Sequence, residues 1–107
     1  MGATGTQPVF DTITEAAEKF AKANGLYESL LHAKQIVRKM IPAIRALAVD
    51  VEEDPEEGGY TTICFQIETR QPVDRVLESD NALEDALIQE IPAKDRFFFS
   101  LKYRFVT

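Results

Sequence analysis

Cysteine, histidine and long apolar runs are all scarce in this chain, and each scarcity removes a class of function. Cys64 is the only cysteine, which excludes an intramolecular disulfide framework and a cysteine-rich zinc site and favours a reducing, intracellular setting. His32 is the only histidine. With no second histidine or cysteine at ligand spacing and no positioned partner, it reads as an exposed helix residue rather than a metal ligand or a catalytic base. No stretch approaches the roughly 18 consecutive apolar residues that span a bilayer, and the N-terminus lacks the basic-then-apolar pattern of a signal peptide, so a cytoplasmic location is expected.

Positive charge is short as well. Lys and Arg number 12 against 18 Asp and Glu, a formal net charge of −6, the wrong sign for a protein whose partner is a polyanion. Neither nucleic acid nor an acidic membrane is expected as a partner. Lys34, Arg38, Lys39 and Arg45 do cluster along one helix and its exit, but no glycine-rich phosphate cradle or aromatic platform accompanies them, and they read as a solubilising face. No cofactor or metal is expected.

What is present is enough apolar residue, 45% of 107 positions, to bury one core. Residues 1–10 read as a disordered tail and 11–107 as a single α+β domain. Met1-Gly2 with Thr6 has the form of an N-myristoylation signal, but no basic cluster follows to reinforce a single acyl chain.

The spacing predicts a first helix starting at Asp11-Thr12, with Thr12 and Glu15 as a capping box and Asn24-Gly25 as the stop. A second helix runs from about Leu26 to Met40 and ends at Pro42. The period then changes to 2: Leu47, Val49 and Val51 alternate with polar or small residues, as do Ile63, Phe65 and Ile67. The connector between these runs has hairpin length, so they are expected to pair antiparallel. Helical spacing returns from Gln71 to Lys94, where Asp80 interrupts the apolar stripe and predicts a short turn over 73–78 followed by the main helix from about Ala82. The last run, 97–106, alternates Phe97, Phe99, Leu101, Tyr103 and Phe105 inward with Phe98, Ser100, Lys102, Arg104 and Val106 outward. The order is α-α-β-β-α-β. It implies a two-layer fold, a three-stranded mainly antiparallel sheet with helices on one face, with the last strand at an edge beside either the first or the second.

Three groups of residues are candidates for function. The outward sheet face carries Tyr60, Thr62, Cys64, Phe98, Ser100 and Val106, a small, neutral centre with aromatic ends that suits contact with another subunit or a protein partner. The acidic hairpin holds Glu52, Glu53, Asp54, Glu56 and Glu57; it lacks the ligand spacing of a calcium loop and reads as a solvated tip or a docking patch for a basic partner. Asp80, with Tyr103 or Arg75, is the polar anchor of any pocket between helices and sheet. Cys64 has no cation or histidine near it in sequence to activate it. These features point to a non-catalytic domain that self-associates or binds a protein partner. The alternative is a small ligand-binding protein or enzyme with its pocket between the helices and the sheet.

Overall fold

The computed structural model describes residues 10–41, 43–54 and 60–105. Along the chain lie β1 (Phe10–Ile13), α1 (Glu15–Ala23), α2 (Tyr27–Met40), β2 (Ile44–Asp54), β3 (Tyr60–Thr69), α3 (Val73–Glu90), α4 (Ala93–Arg96) and β4 (Phe99–Phe105). The strands form one mixed four-stranded sheet in the order β1-β2-β3-β4, so the fold is α+β with one strand more than the periodicity predicts. Residues 1–9, most of the predicted tail, lie outside the described residues.

The extra strand sits where the sequence predicts the start of the first helix. The chain stays extended through Ile13, pairing parallel to β2 with Asp11 opposite Leu47 and Ile13 opposite Val49. The cap is Thr14 rather than Thr12: its Oγ1 accepts from the Ala17 amide at 3.1 Å. The cause is tertiary. Extended, Asp11 reaches α2 and pairs with Lys34 at 2.7 Å and Arg38 at 3.2 Å, while the β1 backbone finds ladder partners on β2 that a helix turn there would forgo. At the other end of α1 the predicted stop holds. Gly25 takes φ +68°, the Leu26 amide reaches back to Ala21 O at 2.7 Å and the Gly25 amide to Lys22 O at 3.4 Å, the paired bonds of a glycine-terminated helix.

β2 and β3 form the predicted antiparallel hairpin, with Leu47, Val49 and Val51 facing Ile67, Phe65 and Ile63. β4 lies beside β3 and parallel to it, Ile63 opposite Phe99 and Ile67 opposite Tyr103. The predicted mainly antiparallel sheet is therefore corrected to a mixed one in which only the central pair is antiparallel. β1 occupies the outer edge of β2, which leaves β4 only the free edge of β3. α3 then carries the chain back along the sheet, so β4 starts level with the start of β3. The two crossovers, β1 to β2 and β3 to β4, run in opposite strand directions yet pack their helices into one core. They must therefore have opposite hands, and one of them is the uncommon left-handed kind.

The core sits between the sheet and helices α1 to α3, with Leu30, Val37, Leu47, Val49, Phe65 and Leu83 essentially inaccessible to solvent. α3 is a single helix across Asp80, against the predicted break. Asp80 needs no capping role because its carboxylate accepts from the Tyr103 hydroxyl of β4. The terminal strand starts at Phe99, not Phe97. Residues 93–98 form a turn of helix and a tight turn, with the Phe97 amide bonded to Ala93 O and the Phe98 amide to Asp95 O. Nearly buried Asp95 accepts from Ser29 of α2 at 2.6 Å and ties this turn to the helices.

The turn reverses the predicted faces of two aromatics. Phe97 is 66% exposed, whereas Phe98 packs on the core with its ring 6.1 Å from that of Phe20. Alternation does not apply at Phe97 and Phe98 because the chain there is turned rather than extended. Phe105 is also 41% exposed rather than buried, because it lies on the sheet's edge strand at the margin of the helical layer.

Candidate functional site: the groove between α3 and β4

α3 follows β3 and β4 follows α3, so α3 runs antiparallel to β4. The Asp80–Tyr103 hydrogen bond fixes which parts lie side by side: the N-terminal half of α3 lies against the end of β4, and its C-terminal half against the start. Between the two lies a cavity of about 510 Å³, within the range of small-molecule sites. Ala33 and Val37 of α2, Phe65 of β3 and Phe99 and Leu101 of β4 give it apolar walls. Phe99 stands edge-on to Phe65, ring centres 5.3 Å apart.

The polar lining is divided by position. Asp80 and Glu84, one turn apart on α3, lie with Tyr103 at one end. The Tyr103 phenol is pushed well above the usual tyrosine value, first by burial, then by donating to Asp80, and further by the negative charges of Asp80 and Glu84. It stays protonated and acts as a donor throughout the physiological range. At the other end is Arg96, whose Nε donates to Ile91 O at 3.0 Å. Among the described residues, Asp80, Glu84 and Arg96 take part in no ion pair. Asp80 and Tyr103 are thus brought together as the sequence suggests, while Arg75 is exposed and lines no part of the cavity. Glu84 and Arg96 are not apparent from sequence alone. The available signal was the i, i+4 spacing of Asp80 and Glu84 beside the buried Leu83.

Exposed apolar side chains gather on the same elements. Val73, Leu77 and Ile88 of α3, Phe97 just before β4 and Phe105 at its end are the large apolar residues left most open to water. β4 is the sheet edge. The Ile63 amide donates to Phe98 O and Ile63 is level with Phe99, so the backbone groups of Phe98, Ser100, Lys102 and Arg104 face β3. Those of Phe99, Leu101 and Tyr103 face away from it, with no strand beyond among the described residues.

The outward sheet face is different in kind. Cys64 and Ser100 lie side by side on it by register, with Thr62 next along β3 on the same face, but charged pairs flank them: Glu52 with Lys102, and Glu68 between Arg45 at 3.7 Å and Arg104 at 3.8 Å. Asp50 accepts from Thr14 at 2.8 Å. Cys64 is buried in spite of its outward register. Its thiol is pushed up by burial, with Glu52 and Asp50 adding to the rise and Ser100 and Lys102 opposing it, so it is a poor nucleophile. Tyr60 closes the end of this face, its hydroxyl donating to Phe97 O at 3.3 Å and its ring set edge-on to Phe97. Phe98 is not part of this face, and Val106 lies outside the described residues. Of the acidic hairpin, Glu52 pairs with Lys102, Glu53 is exposed and Asp54 closes β2 opposite Tyr60; Glu56 and Glu57 lie outside the described residues.

His32 is exposed and bridges α2 to α3 through Glu90 at 3.0 Å. Among the described residues no group of three or more His, Cys, Asp or Glu is placed to hold a metal ion, and no helix is long and apolar enough to cross a membrane. No protein family, curated protein or solved structure matches the chain.

Proposed function

We propose that the protein is a non-catalytic interaction domain that self-associates by pairing the free edge of β4 with β4 of a second copy. The observation that carries this reading is the outward-facing backbone of Phe99, Leu101 and Tyr103 on an edge strand. An open edge of this kind is a template for a further strand unless charge, proline or a covering element blocks it. On β4 the charges, Lys102 and Arg104, are already paired with Glu52 and Glu68 across the sheet.

The strand is also complementary to itself. In an antiparallel pair with its dyad at Leu101, each outward-facing residue meets another: Leu101 faces Leu101, and Phe99 faces Tyr103. The same register sets Lys102 opposite Ser100, so no like charges confront one another. Exposed Phe97 and Phe105 lie at the two ends of the strand and would lose their exposure in the pair. The result is a continuous eight-stranded sheet in the dimer.

The test is mass in solution. Light scattering at micromolar concentration should give a dimer for the native chain and a folded monomer for Phe105→Lys, which sets a charge on the edge without touching the core. A strict monomer for the native chain would overturn the proposal.

A further inference from the structure

The cavity between α3 and β4 has charges of opposite sign at its two ends and hydrocarbon between them, and this holds whether or not β4 pairs. Asp80 and Glu84 mark one end, level with Tyr103; Arg96 marks the other, tethered to Ile91 O beyond the end of α3. Glu84 and Ile91 are seven residues apart on the helix, about 10 Å at the usual rise, and Asp80 is about 16 Å from it. The walls between are the apolar side chains of Val37, Phe65, Leu87, Phe99 and Leu101.

Opposite charges that share a cavity normally neutralise one another by direct contact. Here the helix holds them apart, and neither carboxylate meets the guanidinium or any other cation among the described residues. A bound molecule with one charge of each sign, set at the same spacing, would satisfy both ends while its body displaces water from the apolar walls. We infer that the cavity is a binding site for a small zwitterion with an apolar body, its ammonium group held by Asp80 and Glu84 and its carboxylate held by Arg96.

The span selects among such molecules. An extended tripeptide reaches roughly 10 Å between its ends, and an unbranched amino acid with its amine at the far end of an eight-carbon chain is similar in length. Both fit about 510 Å³. A single α-amino acid carries its two charges on one carbon and is too short to satisfy both ends. Tyr103 gives its one proton to Asp80 Oδ1, which leaves the other Asp80 oxygen and the phenol oxygen to accept from the ligand's ammonium group.

The experiment is calorimetric titration of the native chain with Ala-Phe-Ala carrying free ends, with the same peptide acetylated, amidated or both, and with 8-aminooctanoate. The free tripeptide or the aminooctanoate should bind at sub-millimolar concentration, and the tighter of the two identifies the ligand as peptide or aliphatic. Capping either end of the peptide should weaken binding at least tenfold. In Arg96→Gln the acid and the amide should bind equally, and in the double variant Asp80→Asn, Glu84→Gln the acetylated and free peptides should bind equally. The capping series on the native chain decides the matter even if a variant fails to fold. Equal binding of the doubly capped peptide, or no binding of either probe at millimolar concentration, would overturn the inference.

Discussion

The Tyr103 hydroxyl donates to the Asp80 carboxylate across the gap between β4 and α3, and this bond ties the edge strand to the helix that walls the groove. It also explains why α3 runs unbroken through an acid that interrupts its apolar stripe. Tyr103→Phe should cost about 1 kcal/mol, less than the usual worth of a bond to a charged group because the pair is partly solvated.

Burial of the phenol, together with this bond, makes stability depend on pH at the alkaline end. The folded state holds the Tyr103 proton more tightly than the unfolded chain, whose tyrosine titrates near 10.0. The stabilisation is therefore complete below about pH 10 and declines as pH rises toward the folded value. Urea titrations at pH 8, 9, 10 and 11 should show the native chain losing its advantage over Tyr103→Phe only in the last part of the series. A constant difference across the whole series would mean that neither burial nor Asp80 holds the proton on the hydroxyl in the folded state.

Ala43 is the one described non-glycine residue with positive φ, +52°. Its carbonyl accepts from the Arg70 amide at 3.2 Å and from Thr69 Oγ1 at 3.3 Å, so the conformation is held by the neighbouring strand end. An alanine pays a steric penalty there that glycine avoids, partly offset by the greater freedom of glycine in the unfolded chain. Ala43→Gly should raise unfolding stability by up to about 1 kcal/mol, read as a higher denaturant midpoint at unchanged slope.

Asp11 anchors β1 through Lys34 and Arg38, and both Asp11 and Lys34 are largely shielded, at 16% and 19% side-chain exposure. Asp11→Ala should cost about 1–2 kcal/mol. It should also speed amide exchange within residues 10–13 while leaving the β2–β3 hairpin unchanged, since among the described residues β1 pairs with β2 alone.

The two phenylalanines before β4 should respond in opposite ways. Phe98→Lys places an ammonium group against Phe20 and the core and should destabilise strongly, with a loss of several kcal/mol. Below the dimerisation range, Phe97→Lys should leave the thermal midpoint nearly unchanged, because in the single chain Phe97 is 66% exposed. Sequence alternation predicts the reverse.

That reversal shows how much of the fold is legible in the sequence. α2, the Gly25 corner and the β2–β3 hairpin follow from periodicity and turn chemistry, because each is fixed by contacts between near neighbours, whereas α3 runs unbroken through Asp80, where the sequence predicts a break. β1 has four residues and no alternation to reveal it; it exists because Asp11 meets Lys34 and Arg38 across the fold. The start of β4 is misplaced for a similar reason, since Asp95 is drawn into the core by Ser29. The Asp80–Tyr103 pair was visible as a conflict between an acid and an apolar stripe. Arg96 was not, because its place in the cavity depends on the turn that the alternation concealed.

Amide exchange on β4 at several protein concentrations tests self-association most directly. The amides of Leu101 and Tyr103 face away from β3, and that of Lys102 faces it, by the register of the sheet. If β4 pairs with itself, Leu101 and Tyr103 gain protection as concentration rises through the dimerisation range, and Lys102 is protected throughout. Exchange at Leu101 and Tyr103 that stays fast and independent of concentration would contradict the account.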